Sequence, residues 1–194
     1  MTIKIGGKLG EHSQFGPVIS KFKMTDIMVK TLNADCMNTT IDYKDKLVGI
    51  MEQQLLASDG CMEAVEPFFL SCVAEHTKVS SAPDKNVTMN DLWYNRMANA
   101  WDHNPIHFHA NCSYSSVGFL KVPDKQPHGT GNLCFYMEAI AGYPSGPVTF
   151  TPVVGDYYVF PWHLQHFVNP IGPFKGERRS FSINFNGTKR GLKT

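Results

Sequence analysis

From Thr88 onward the sequence changes period. Apolar and polar residues alternate with a spacing of two, and Gly and Pro cut the chain into short runs rich in aromatic and β-branched side chains. Such alternation puts successive side chains on opposite faces of a strand, and the punctuation marks turns. The pattern predicts strands at Leu92–Ala100, Ile106–Ala110, Val117–Val122, Leu133–Glu138, Val148–Thr151, Tyr157–Phe160, Gln165–Val168 and Arg178–Phe185. Short strands in that number cannot cover their apolar faces as one open layer, so they imply a sandwich or barrel.

The first half reads differently. Leu47, Ile50, Met51 and Leu55 recur at helical spacing and predict a helix over Tyr43–Ala57; Asp59-Gly60 breaks it, and a second helix is expected over Met62–His76 with Pro67 inside it. With 194 residues and no internal repeat, the expected organisation is a single domain, in which residues 1–87 form a helical buttress on a β core at 88–186. Lys and Arg number 18 against 17 Asp and Glu, a net charge of +1 with no basic stripe, which argues against a nucleic-acid surface. No apolar run approaches the roughly 20 residues that span a bilayer. A small-molecule or peptide partner is the expectation, and a barrel edge strand offers one route to a homodimer. Five widely spaced cysteines with no C-x-x-C pair read as reduced thiols of a cytoplasmic protein.

Chemistry concentrates at His107-Phe108-His109 and at His166. On a strand, positions i and i+2 face the same way, so His107 and His109 can share a metal, and a barrel brings a distant strand carrying His166 beside them. The competing reading is a pair of surface or hydrogen-bonded histidines. In Arg178-Arg-Ser-Phe-Ser-Ile-Asn-Phe185, one face carries Arg178, Ser180, Ser182 and Asn184, and the other Arg179, Phe181, Ile183 and Phe185. The polar face either lines a ligand cavity, where an arginine fork grips a carboxylate, or wets an edge strand. Trp93, Trp101 and Trp162 are expected in the core or at the barrel mouth.

Two histidines, a third some 57 residues later and an Arg-x-Ser beyond it occur here within Trp93-Tyr-Asn95, Asn104-Pro-Ile-His-Phe-His109, Ser116–Pro123, Gly155–Pro161, His166-Phe-Val-Asn-Pro170 and Arg178–Asn184. These stretches resemble the iron(II)- and 2-oxoglutarate-dependent oxygenases found in cyanophage genomes, which are related to the prolyl hydroxylase branch. The resemblance covers about residues 88–186 and implies a double-stranded β-helix, the jelly roll shared with cupins. It implies Fe(II) on His107 and His166, Arg178 with Ser180 on the distal carboxylate of 2-oxoglutarate, and Asn95 and Tyr136 as further hydrogen-bond candidates for that cosubstrate. The implied reaction is hydroxylation of a prolyl or other amino-acid side chain or of another substrate, yielding succinate and CO₂, in the host cytoplasm for a phage-encoded protein. Where the superfamily places Asp or Glu, this sequence has His109. The site is then either a three-histidine face or one completed by Asp102, Glu138 or Asp156, none of which has the spacing. Gly155-x5-Pro161-x4-His166 also fits a cupin motif, leaving a three-histidine cupin dioxygenase that needs no 2-oxoglutarate, or a non-catalytic jelly-roll binding or virion protein, as the alternatives. The loops Pro123–Gly131 and Ala139–Gly146 are expected to select the substrate.

Overall fold

The computed structural model describes residues 2–4, 17–80, 85–124, 127–136, 146–173 and 176–188. Strands β1 (Thr2–Lys4) and β2 (Val18–Lys23) precede helix α1 (Asp26–Asn38); β3 (Gln53–Leu56) and helix α2 (Asp59–Val79) follow a 3₁₀ turn at Lys44–Lys46. Then come β4 (Lys85–Met97), β5 (Asn104–His107), β6 (Tyr114–Lys121), β7 (Leu133–Phe135), β8 (Val148–Phe150), β9 (Asp156–Pro161), β10 (His166–Val168) and β11 (Arg178–Thr188). The strands form a seven-stranded sheet in the order β1-β2-β9-β6-β11-β4-β3 and a four-stranded sheet in the order β5-β10-β7-β8. This interleaved order, antiparallel in every pairing, is the double-stranded β-helix expected from the sequence.

Two apolar cores result. One fills the space between the sheets and includes Phe119, Leu133, Phe135, Tyr158, Phe160 and Val168. The other lies under the helices, where Phe181, Ile183 and Phe185 meet Val65, Phe69 and Val73 of α2. The phase of β11 decides this division, and β11 is no edge strand, since β6 and β4 flank it. Helix α2 starts at Ser58, whose hydroxyl accepts from the Cys61 amide, and buries one stripe, Cys61, Val65, Phe69, Cys72, Val73 and His76. Pro67 lies well inside it, and the helix continues past at the expense of one backbone hydrogen bond. The helix α1 packs beside α2 and β6 and buries only Leu32 and Cys36, so its apolar period is too sparse to read. No helix among the described residues is long and apolar enough to cross a membrane.

The expected helix over Tyr43–Ala57 is absent. After the 3₁₀ turn the chain runs extended, Ile50 pairs with His103, and β3 adds to the large sheet beside β4. Of the four residues that suggested a stripe, only Met51 is buried, while Ile50 is 56% exposed. Sheet hydrogen bonds to β4 outweigh the weak helical spacing. The N-terminal part is therefore not a purely helical buttress, because β2 and β3 extend the large sheet at opposite sides. Expected strand positions hold throughout the second half, with shifted ends: β4 begins at Lys85, and β5 stops at His107, short of His109. Trp101 is 79% exposed, outside any core.

Candidate metal centre and cosubstrate pocket

The register of the small sheet makes the first contact. β10 pairs antiparallel with β5 so that His166 lies directly opposite His107, with ring centroids 4.3 Å apart. His109 follows the end of β5 and is drawn in by a hydrogen bond from its amide to the Trp162 carbonyl, 3.1 Å. Its ring stacks on His166 at 5.0 Å and 4°, and the two Nε2 atoms are 3.2 Å apart. One ligand atom from each of His107, His109 and His166 fits within 4.8 Å of the others. The convergence foreseen for His107 and His109 thus occurs, with ring centroids 5.2 Å apart, although β5 ends at His107 and His109 lies just beyond it.

The tautomers are set from outside. His107 Nδ1 lies 2.7 Å from the Pro105 carbonyl and His166 Nδ1 lies 2.9 Å from the Leu164 carbonyl. A carbonyl only accepts, so each Nδ1 carries the proton and each Nε2 turns a lone pair inward. Burial lowers the pKa of all three rings: His107 is lowered, His109 falls to about 3 with the neighbouring His107 adding to the effect, and His166 falls well below its ordinary value with both neighbours adding. Three neutral imidazoles at this spacing, two of them with Nε2 lone pairs turned inward, fit a divalent transition metal.

Among the described residues no carboxylate joins this group. Asp102 accepts the Ala98 and Asn99 amides at 2.8 and 2.9 Å and so caps a turn. Asp156 is paired with Lys21 and Lys23. Glu138, and nearly all of Ala139–Gly146, lie outside the described residues.

A cavity of about 280 Å³ opens beside the triad, walled by Ser180, Ser182 and Asn184 of β11, Asn95 and Trp93 of β4, and Gln54 of β3. This is the polar face of the Arg178–Phe185 segment, turned to the cavity as its alternation requires. Arg178 lies deeper, behind Ser180, and is fully buried. Its Nε donates to the Gly131 carbonyl at 2.9 Å, its Nη1 donates to Ser180 Oγ at 3.1 Å, and its guanidinium lies over Phe119, 5.1 Å from the ring centre. Its Nη2 is buried without a hydrogen-bond partner. Burial alone pushes its pKa down to about 9, which leaves it charged at neutral pH. Among the described residues no anion lies beside this guanidinium, which leaves one donor edge that a carboxylate would satisfy.

Asn95 sits opposite Ser180 in the strand register; it accepts from Gln54 Nε2 at 2.8 Å and donates toward Ser182 Oγ at 3.5 Å. Tyr136 is 36% exposed and is not on the cavity wall. It shares the outward phase of Cys134, while Leu133 and Phe135 point inward. Trp162 rests near Phe108, 6.1 Å between ring centres, rather than on the cavity. Sequence reasoning missed Gln54, Asn104 and the wall from Tyr43 to Gly49; the helix expected over Tyr43–Ala57 concealed Gln54 and that wall.

A jelly roll bringing three imidazoles together beside one cavity is a scaffold on which a divalent metal can be held. Residues 91–186 match the family model described as "Putative 2OG-Fe(II) oxygenase", and this segment belongs to the 2OG-Fe(II) oxygenase family. The chain is a 2-oxoglutarate-dependent dioxygenase whose cofactors are Fe(II) and 2-oxoglutarate. No curated protein matches the sequence. Solved structures share the fold. A Pseudomonas putida prolyl-4-hydroxylase aligns with TM-score 0.61 at 17% identity over 88% of this chain and 92% of its own. HygX from Streptomyces hygroscopicus, bound to nickel, 2-oxoglutarate and hygromycin B, aligns with TM-score 0.60 at 12% identity over 88% and 83%. A Trichoplax adhaerens prolyl hydroxylase in complex with a hypoxia-inducible factor peptide aligns with TM-score 0.59 at 12% identity over 87% and 83%.

Proposed function

We propose that the protein hydroxylates a C–H bond of a small-molecule or peptide substrate, with His107, His109 and His166 holding the iron and Arg178 with Ser180 gripping the distal carboxylate of 2-oxoglutarate. The observation that carries this reading is Arg178, buried with an unpartnered Nη2 behind a cavity that also contains the inward lone pairs of the triad. Bound Fe(II) with 2-oxoglutarate supplies the oxidising power, drawing on O₂ and releasing succinate and CO₂. The chain's own residues orient and shelter. The Pro105 and Leu164 carbonyls fix the imidazoles, Asn95 and Ser182 offer hydrogen bonds to the cavity, and Trp93, Val117, Leu133 and Val168 keep its walls apolar. The structural neighbours, which include two prolyl hydroxylases, one of them in complex with a peptide, and an enzyme with hygromycin B bound, support both substrate sizes and a relation to the prolyl hydroxylase branch. A phage origin and a cytoplasmic site of action belong to the same reading, the latter in keeping with free thiols at all five cysteines. A cupin-type dioxygenase binding its substrate directly to the metal has no use for a buried arginine at this position.

The test is anaerobic reconstitution with Fe(II) followed by titration with 2-oxoglutarate, monitored for the visible charge-transfer band of a 2-oxo acid chelated to ferrous iron. The band is expected in the parent and is expected to vanish in His107→Ala and His166→Ala. Iron bound without the band refutes the proposed role of 2-oxoglutarate.

A further inference from the structure

We propose that Asn184 is the positioning residue of the third imidazole, its side-chain carbonyl Oδ1 accepting the Nδ1 proton of His109 so that His109 Nε2 turns a lone pair to the metal. The inference rests on the metal-site reading above and goes beyond it, from which rings hold the ion to what fits the third of them for the task.

Two rings of the triad are set alike. His107 bonds through Nδ1 to the Pro105 carbonyl and His166 to the Leu164 carbonyl, in each case the residue two positions earlier in the chain. Among the described residues no backbone carbonyl does this for His109, which lies beyond the end of β5 and spends its amide on the Trp162 carbonyl. Its ring packs against His166 at 5.0 Å and against Trp93 at 5.8 Å and 32°. Such contacts restrain the plane of an imidazole, but they choose neither its half-turn about Cβ–Cγ nor the nitrogen that carries the proton.

Asn184 supplies that choice. It stands on the polar face of β11, on the same cavity wall as His109 and opposite Ser115 in the β6 register. Pairing with β4 slips between Ile183 and Phe185, so Asn184 lies where the ladder is interrupted, a place at which strands re-aim side chains. Its Oδ1 is buried and takes no hydrogen bond from any other described residue, which costs free energy unless a donor faces it. Burial and the adjacent His107 push the His109 pKa down, while a hydrogen bond between its ring and the Asn184 side chain acts against them. A carbonyl accepts and cannot donate, so the ring nitrogen it faces carries the proton. His109 Nε2 lies 3.2 Å from His166 Nε2 and belongs to the metal side, which leaves Nδ1 for Asn184. An amide oxygen is neutral, as the two backbone carbonyls are, and orients the third ligand in the same way as the first two.

The experiment reads the ring itself. In the metal-free full chain carrying isotope-labelled histidine, long-range proton–nitrogen correlation is expected to show the Nδ1–H tautomer at His109, whose signals are assigned by their loss in His109→Gln. Asn184→Leu, which removes the acceptor at similar volume, is expected to lose that preference and to raise the Kd for Mn(II) at least tenfold by calorimetry. Asn184→Asp, which keeps an acceptor in the same place, is expected to restore both. An Nε2–H tautomer at His109 in the parent overturns the proposal whether or not the leucine variant folds, and so does unchanged Mn(II) affinity in folded Asn184→Leu when His109→Ala weakens it. If His109→Ala itself binds Mn(II) as tightly as the parent, the three-histidine reading fails and the proposal with it.

Discussion

Replacing Arg178 by Met separates stability from function. Burial disfavours the charged guanidinium by on the order of 5 kcal/mol, the cost implied by a pKa driven from 12.5 to about 9. Its hydrogen bonds to the Gly131 carbonyl and Ser180 Oγ recover part of that, and losing them leaves a buried carbonyl unpaired at about 1–3 kcal/mol. Methionine has similar length and needs no partner, so the two effects nearly offset one another. The ligand-free fold is expected to stay within about 2 kcal/mol of the parent, less than about 8 °C in Tm for a chain of this size. The effect on 2-oxoglutarate is one-sided. Removing one member of a buried charge pair costs about 3–5 kcal/mol, or roughly a 10²–10⁴-fold weaker Kd. Paired thermal melts with and without 2-oxoglutarate, together with calorimetry on the Mn(II)-loaded protein, read both quantities. A variant that binds 2-oxoglutarate within threefold of the parent, or that loses its fold while ligand affinity survives in the folded fraction, would refute the reasoning.

Gly118 lies beneath Phe181, and an added Cβ would fall 2.2 Å from Cε1 and 2.3 Å from Cζ of that ring. Because Phe69 and Tyr157 hold the ring in place, Gly118→Ala is expected to cost about 1–3 kcal/mol, read by denaturant unfolding, and Phe181→Leu in the same chain should recover part of it. His76 is fully buried against Ser20, with Oγ 2.8 Å from Nδ1, and burial holds its pKa at about 4 against 6.5. The unfolded chain binds the proton more readily, so its contribution of about 3 kcal/mol is complete above about pH 6.5 and is lost as pH falls toward 4. With metal saturating the triad, His76→Gln should flatten the fall of ΔG of unfolding over that interval; an unchanged slope would count against it. A Cβ at Gly49 would meet Asn104 Oδ1 at 2.5 Å and Gln54 Nε2 at 2.6 Å. Gly49→Ala should therefore disturb the cavity wall and lower substrate-dependent succinate formation while shifting Tm by less than about 4 °C, and unchanged turnover would contradict this.

How far the sequence could be read follows from where each signal originates. The β11 alternation is local and its two faces meet different neighbours, so Arg178, Ser180, Ser182 and Asn184 were assigned to one side from the pattern alone. The i, i+2 spacing of His107 and His109 is local and their convergence is legible from it, whereas the bond from the His109 amide to the Trp162 carbonyl is a contact between segments that no local period encodes. Tyr43–Gly49 and Gln54 were misread because helical spacing and an extended edge stretch share the same few apolar positions, and only pairing with β4 decides between them. Asn95 was found as a candidate, while its partner Gln54 came from that misread stretch.

The cavity draws its walls from two unequal sources. The histidines and the serines, with Arg178 behind them, lie inside residues 91–186, the segment that carries the family match, whereas Tyr43, Lys46, Leu47, Val48, Gly49 and Gln54 precede it. Two stretches of chain thus share one cavity, joined by the β3–β4 pairing and by the Ile50–His103 bridge. A gene arranged this way can exchange the front wall without touching the machinery behind it. Grafting the 43–56 stretch of a relative onto this core is then a direct route to a new substrate with the old chemistry.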